Sequence, residues 1–226
     1  YDASMSKYLE SSGVDIILVG DSLGQVIKGE KTTHGVTLDE IEYHTRCVKS
    51  GLKTSVLMID LPKNSYDTKM KAYKNSYKFI STSLADLVKI EIDTNNFDIA
   101  KHLIEKNIPL CAHIGLLPQT IKSRSGFRKY GKSKNEAKQL YNLAITLDEL
   151  GAKVILIECL ENSLAKKISQ NCSAPVIGIG SGCGIDGQVA VIYDLLGISF
   201  NKIDAFFTND KTVLDKQITK FRKKLK

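Results

Sequence analysis

Residues 14–24 read VDIILVGDSLG: an apolar, largely β-branched run that ends in an aspartate and a serine set between two glycines. Near-continuous apolarity over such a short run is the pattern of a strand buried on both faces, as in a parallel sheet covered by helices. A strand of that kind delivers polar residues at its carboxyl end, where parallel α/β folds gather their functional groups. Five further runs have the same character: TSVLMIDLP (54–62), LVKIEI (87–92), IPLCAHIG (108–115), AKVILIEC (152–159) and APVIGIGSG (174–182), and IDAFFT (203–208) extends the series to a seventh.

The intervening segments carry helical spacing. TLDEIEYHTRCVKSG (37–51) has Thr37 and Glu40 at the separation of a capping box, with Ile41, His44 or Thr45, and Val48 on one face and Gly51 beyond the end. NEAKQLYNLAITLDELG (135–151) aligns Ala137, Leu140, Ala144, Leu147 and Leu150 before a terminal glycine. Shorter helices are expected in 95–107 and 162–170, and a basic one at about 210–226. Strand and helix alternating without a linker, low-complexity segment or internal repeat suggests a doubly wound sheet or a (β/α)8 barrel. The strand count favours the TIM barrel, a single domain over 1–226 whose first strand is expected before Tyr1.

Composition narrows the functional classes. At 226 residues, 42% hydrophobic and 25% charged, the chain is long enough to build a core without staples and is not of disordered composition. No window approaches the roughly 18 apolar residues of a membrane span, and no signal-like segment opens the chain, so a cytoplasmic protein is expected. The five cysteines, Cys47, Cys111, Cys159, Cys172 and Cys183, form no CxxC pair and read as reduced, mostly buried thiols. The net charge of +7 is spread over the whole chain without interleaved stacking aromatics, which argues against nucleic acid as a partner.

The strand ends present Asp21 and Ser22, Asp60, Lys89 with Glu91, His113, Glu158, and the turn Gly178-Ile179-Gly180-Ser181-Gly182. Taken singly each has an ordinary structural role: a helix-capping aspartate, a Lys89–Glu91 ion pair, a core histidine, a tight turn. Converging on one mouth, four carboxylates repel one another in a low dielectric, and a cation is their natural partner. Oxygen ligands without neighbouring His or Cys pairs favour Mg²⁺ over zinc. A metal beside a lysine suits the binding of a 2-oxo acid and stabilisation of its enolate. Gly20 and Gly24 are expected to let the backbone turn closely around that substrate.

YDASMSKYLESSGVDIILVGDSLG, TTHGVTLDEIEYHT, IDLP, VKIE, AHIGLLPQT, LIEC and PVIGIGSG followed by DGQV occur in that order from Tyr1 to about Gly197. Together they resemble the ketopantoate hydroxymethyltransferase (3-methyl-2-oxobutanoate hydroxymethyltransferase) family of pantothenate biosynthesis. The resemblance implies a (β/α)8 barrel of the phosphoenolpyruvate/pyruvate-binding type. It also implies Mg²⁺, the substrate 3-methyl-2-oxobutanoate, 5,10-methylenetetrahydrofolate as co-substrate, the product 2-dehydropantoate and a homodecamer. Carried over by position, it implies Asp21, Asp60 and Glu91 as the metal set, Glu91 acting through water. Asp21, Ser22, Asp60, Lys89 and His113 become substrate-binding, and Glu158 the proton acceptor. The basic, aromatic segment 121–134 would cover the pterin and meet folate carboxylates.

Two departures stand near the mouth. Ile92-Asp93 replaces the family's paired glycines after Glu91, which adds a carboxylate beside a metal ligand, and His34-Gly35 replaces a Leu-Pro, which is expected to loosen that loop. An isocitrate lyase or phosphoenolpyruvate mutase type of enzyme shares the barrel and the enolate logic but would carry a cysteine-bearing catalytic loop, and none of the five cysteines has that setting. A catalytically decayed keto-acid or folate binder is the non-enzyme alternative.

Overall fold

The computed structural model describes residues 1–121, 127–200 and, in the terminal segment, 218, 220 and 223. Its strands are β1 (Ile16–Val19), β2 (Val56–Asp60), β3 (Leu87–Glu91), β4 (Leu110–Gly115), β5 (Val154–Glu158), β6 (Val176–Ile179) and β7 (Gly187–Gln188). All pair in parallel, and their order in the sheet is their order in the chain. A doubly wound sheet reverses that order at a switch point. This one does not, so successive crossovers turn the same way and the sheet curls into the barrel type.

The helices are α1 (Ala3–Ser11), α2 (Leu23–Val26), α3 (Leu38–Gly51), α4 (Lys69–Ser81), α5 (Phe97–Glu105), α6 (Lys134–Leu150), α7 (Asn162–Ser169) and α8 (Ile192–Leu195). The six strands and four internal helices expected from sequence are present, while α1, α2, α4, α8 and the two-residue β7 are additional. The expected strand at 203–208 lies outside the described residues, as does most of the expected helix at 210–226. The capping box of α3 forms in both directions between Thr37 and Glu40, and its inner face is Ile41, Thr45 and Val48, with Thr45 rather than His44 buried. The thiols are free, but only Cys111 and Cys159 are buried; Cys47 and Cys172 are intermediate and Cys183 is exposed.

Alternation along the strands divides the apolar residues into two cores. Val19, Leu57, Ile59, Val88, Ile90, Ala112, Ile114, Ile155 and Ile157 pack outward with helix residues such as Ile41, Phe79, Leu103, Leu147 and Ile168. Met58, Leu87, Cys111, Val154 and Leu156 point the other way and form a separate cluster with Ile16, Leu18 and Ile177, the packed interior of the curled sheet. Each such buried side chain stabilises the fold by roughly 1.5–3 kcal/mol. Two residues further along the same inward rows, Met58 leads to Asp60, Leu87 to Lys89, Cys111 to His113 and Leu156 to Glu158, and Glu91 follows two residues after Lys89.

Where β4 meets β5 the backbone leaves no room for a side chain. Gly115 has φ +99°, and a Cβ there would lie 2.3 Å from Leu160 Cδ1 and 2.4 Å from the Glu158 carbonyl oxygen. Gly115→Ala is therefore expected to destabilise by about 2 kcal/mol or more in chemical denaturation, against about 1 kcal/mol for loss of the α3 cap in Thr37→Ala.

Candidate active site

The parallel register sets Asp60 beside Lys89, Glu91 beside His113, and Gly115 beside Glu158. Asp21 follows β1 by two residues and is brought to the same place, its backbone N–H donating to Asp60 Oδ2 at 3.3 Å. Asp21, Asp60, Lys89, Glu91 and His113 are all buried. Lys89 Nζ donates to both oxygens of Asp60, at 2.9 and 2.8 Å, so the lysine pairs across the strands rather than with Glu91 on its own strand. The residues named from sequence come together around one cavity of about 1830 Å³, lined at its base by Ile16, Leu18, Met58, Leu156 and Ile177.

Three buried carboxylates and the partly exposed Glu158 share one buried lysine, and the imbalance shows in the protonation of Asp21, Glu91 and Glu158. Burial, with the neighbouring Asp60, pushes Asp21 up to about 7. Burial pushes Glu158 up to about 8 against the pull of Lys89, and raises Glu91 well above the usual carboxylate range. Lys89 itself is held in its charged form: desolvation opposes the charge, but Asp60, Asp21 and Glu91 together outweigh it. His113 is pushed well below its ordinary value by burial and by Lys89, so its ring is neutral. Its Nε2 lies 3.2 Å from Glu158 Oε2, yet the alignment is poor and neither ring nitrogen has a hydrogen-bond partner. The pair is in contact but not committed to each other.

Gln119, which the sequence reading passed over inside AHIGLLPQT, holds this cluster from behind. Its backbone N–H donates to both oxygens of Glu91 at 3.1 Å, and its Nε2 to Asp21 Oδ2 at 3.0 Å and to the Leu61 carbonyl at 3.1 Å. The signal was available: a long polar side chain on the loop directly after an inward-facing strand. Ser22 bonds the Tyr1 hydroxyl at 2.6 Å.

Other expectations are corrected. Gly24 is required by packing, since a Cβ would lie 2.9 Å from Val36 Cγ2 and 3.2 Å from the Thr32 carbonyl; at Gly20 a Cβ would make ordinary contacts, the nearest at 3.4 Å. The extra carboxylate Asp93 caps its own loop, accepting from the backbone of Asn95 and Asn96. His34 does not loosen its loop: Nε2 lies 3.1 Å from the Pro118 carbonyl and Nδ1 3.4 Å from Lys63 Nζ, since an imidazole carries two bonding nitrogens that leucine lacks. The turn after β6 is tied by Ser181, whose hydroxyl meets Leu160 N and the Ile157 carbonyl. In the basic segment, Arg128 lies 4.0 Å over the Tyr130 ring and pairs with Glu136. Lys129 donates to the Leu160 and Gly180 carbonyls; residues 122–126 lie outside the described set.

Among the described residues no group of three or more His, Cys, Asp or Glu side chains stands in metal-holding geometry. The donor set nevertheless fits a hard divalent cation of the Mg²⁺ kind, which uses one or two carboxylates and completes its shell from water and substrate. Asp21 and Asp60 are adjacent, line the cavity, and belong to a cluster with more carboxylates than cations.

In fold, the chain is similar to a phosphoenolpyruvate phosphomutase from Streptomyces platensis subsp. rosaceus (TM-score 0.64, 12% identity, 87% of this chain and 75% of that one). It is also similar to a phosphonopyruvate hydrolase solved with oxalate and Mg²⁺ (TM-score 0.61, 10% identity, 99% and 90%). At these identities the likeness is one of fold alone, and it agrees with the curled parallel sheet described above. The ketopantoate hydroxymethyltransferase family model matches residues 1–226, continuing past Gly197 where the recognisable motifs stop. Proteins named 3-methyl-2-oxobutanoate hydroxymethyltransferase are 43% identical in Vibrio cholerae (serotype O1, strain M66-2; 92% of this chain, 79% of that one). The counterpart in Buchnera aphidicola subsp. Schizaphis graminum is 44% identical with the same coverage. The chain belongs to the ketopantoate hydroxymethyltransferase family.

The carboxylate imbalance has a measurable consequence without any ligand. Asp21, Glu91 and Glu158 bind protons more tightly folded than unfolded; for Asp21 and Glu158 the resulting contribution to stability is complete below about pH 4 and is lost as pH rises through about 7–8, and Glu91 acts in the same direction. In chelator-treated protein the denaturation midpoint is expected to fall between about pH 5 and about pH 8. Asp21→Asn is expected to flatten that fall and to be the more stable protein at the upper end.

Proposed function

We propose that the protein is a hydroxymethyltransferase that converts 3-methyl-2-oxobutanoate to 2-dehydropantoate in pantothenate biosynthesis, with 5,10-methylenetetrahydrofolate as donor and Mg²⁺ as cofactor. The observation that carries this is Glu158: a largely desolvated carboxyl pushed up to about 8, lining the same cavity as a charged lysine and an excess of carboxylates. A carboxylate poised near neutral pH is suited to removing a proton from carbon.

The chain's residues divide the work. Lys89, kept charged by Asp60, supports the bound keto acid, whose carboxylate end lies toward Asp21 and Ser22. Asp21 and Asp60 would hold the cation, with Glu91 reaching it through water. Bound there, a divalent cation supplies Lewis-acid polarisation of the keto oxygen. Glu158 takes the proton from C3, and neutral His113, in contact with that carboxyl, adds no charge that would lower its basicity. The apolar base formed by Leu18, Met58, Leu156 and Ile177 excludes water from the substrate's branched end. C3 then forms the new carbon–carbon bond to the methylene carbon of the donor. Both C–N bonds that hold this carbon break with their electron pairs going to nitrogen; water supplies the hydroxyl oxygen, and the C3 proton and one proton of that water end on the two nitrogens of the departing tetrahydrofolate. Phe127, Arg128 and Lys129 line the cavity and offer an aromatic face and cations to the folate. The protein acts in the cytoplasm as a homo-oligomer, a homodecamer by family resemblance.

Incubation with Mg²⁺, 3-methyl-2-oxobutanoate and methylenetetrahydrofolate is expected to give 2-dehydropantoate; folded protein that gives none would overturn the reading. In deuterated water, Glu158→Gln should bind the keto acid but exchange its C3 proton at least about 100-fold more slowly, and undiminished exchange would remove Glu158 from the base role. Because the base works unprotonated, exchange by the unaltered protein should rise with pH, with a midpoint near 8.

A further inference from the structure

Gln119 is almost fully buried and does not line the cavity, yet it touches two residues that do. Its carboxamide has a fixed sense. Oε1 accepts from the Tyr66 hydroxyl at 2.6 Å, and Nε2 donates to Asp21 Oδ2 and to the Leu61 carbonyl. Turned over, the amide would set its oxygen against a carboxylate and a carbonyl at about 3 Å, leaving both acceptors unpaired in the interior. Tyr66 is itself buried, so the orientation is locked from the side away from the cavity. The same residue's backbone N–H is shared between the two oxygens of Glu91. Two N–H groups of one neutral residue thus fix two of the carboxylates, one by side chain and one by main chain.

We infer that Gln119 is the positioning residue of the cation and keto-acid site, orienting Asp21 and Glu91 toward the cavity, with Tyr66 setting the sense of its amide. This rests on the function proposed above. A neutral donor is what the position demands. A lysine there would neutralise Asp21 and compete with a bound cation, and a carboxylate would add a fifth negative group with no proton to donate. Outer residues that orient metal ligands typically change metal affinity by 10- to 100-fold when replaced.

The test is calorimetric titration of the full-length protein with Mg²⁺ in the presence of 3-methyl-2-oxobutanoate, for the unaltered chain and for Gln119→Glu, Gln119→Met and Tyr66→Phe. Both Gln119 variants are expected to weaken Mg²⁺ binding at least about tenfold, and Tyr66→Phe, which keeps the donors but frees the amide to turn, by a few-fold. Partial misfolding would lower the number of sites titrated and leave the dissociation constant of the remainder unchanged, so affinity is the deciding readout. Unchanged affinity in the Gln119 variants, with normal binding by the unaltered chain, overturns this inference alone. No Mg²⁺ binding by the unaltered chain overturns the proposed function, and this inference with it.

Discussion

The paired hydrogen bonds from Lys89 to Asp60 are the contact around which the site is arranged. A lysine at the inner face of a curled sheet survives as a cation only if a carboxylate meets it there, and the parallel register of β2 and β3 supplies one directly alongside. Once that pair is formed, Asp21, Glu91 and Glu158 are surplus. None has a buried cation of its own, and each is raised toward the protonated form. The surplus opposes stability at neutral pH, and it is also the property that makes the cavity receptive to a divalent cation and leaves Glu158 suited to carbon acid chemistry.

Sequence made much of this accessible, for a specific reason. Strands buried on both faces read as uninterrupted apolar runs, and in such a run a charged residue is conspicuous. Lys89 and Glu91 within LVKIEI, and Asp60 closing VLMID, could hardly be surface positions. What sequence did not reveal depends on partners from other strands. Lys89 and Glu91 are neighbours in the chain, yet Lys89 bonds Asp60, because the cross-strand neighbour lies in the same layer of the interior. Likewise α4 buries only Ala72, Ser76 and Phe79, too thin an apolar stripe to stand out among its lysines and tyrosines. Gln119 shows locally only as a long polar side chain on the loop after β4; its role arises from Asp21, Glu91 and Tyr66, which lie far from it in the chain.

The two replacements near the mouth are compensated locally. Asp93, which adds charge to the β3 terminus in a linear reading, spends that charge on the amides of the turn that follows. His34 links its loop to the segments after β2 and β4 through Lys63 and Pro118. In both cases a substituted side chain finds hydrogen-bonding partners within the loops of the carboxyl face. The inward row of Asp60, Lys89, Glu91, His113 and Glu158 remains intact.

The strictly sequential strand order bears on how the chain folds. Among the described residues each strand pairs only with its predecessor and successor, so none of these pairings closes a loop longer than one helical crossover, and assembly of β1 to β7 can follow the order in which the chain leaves the ribosome. Lys89 and Asp60 then meet while the sheet has only its first three strands, before His113 and Glu158 exist as neighbours. The nascent half-sheet would therefore bury a matched pair first, and the unmatched carboxyl of Glu158 enters only when β5 docks onto an interior already able to hold it.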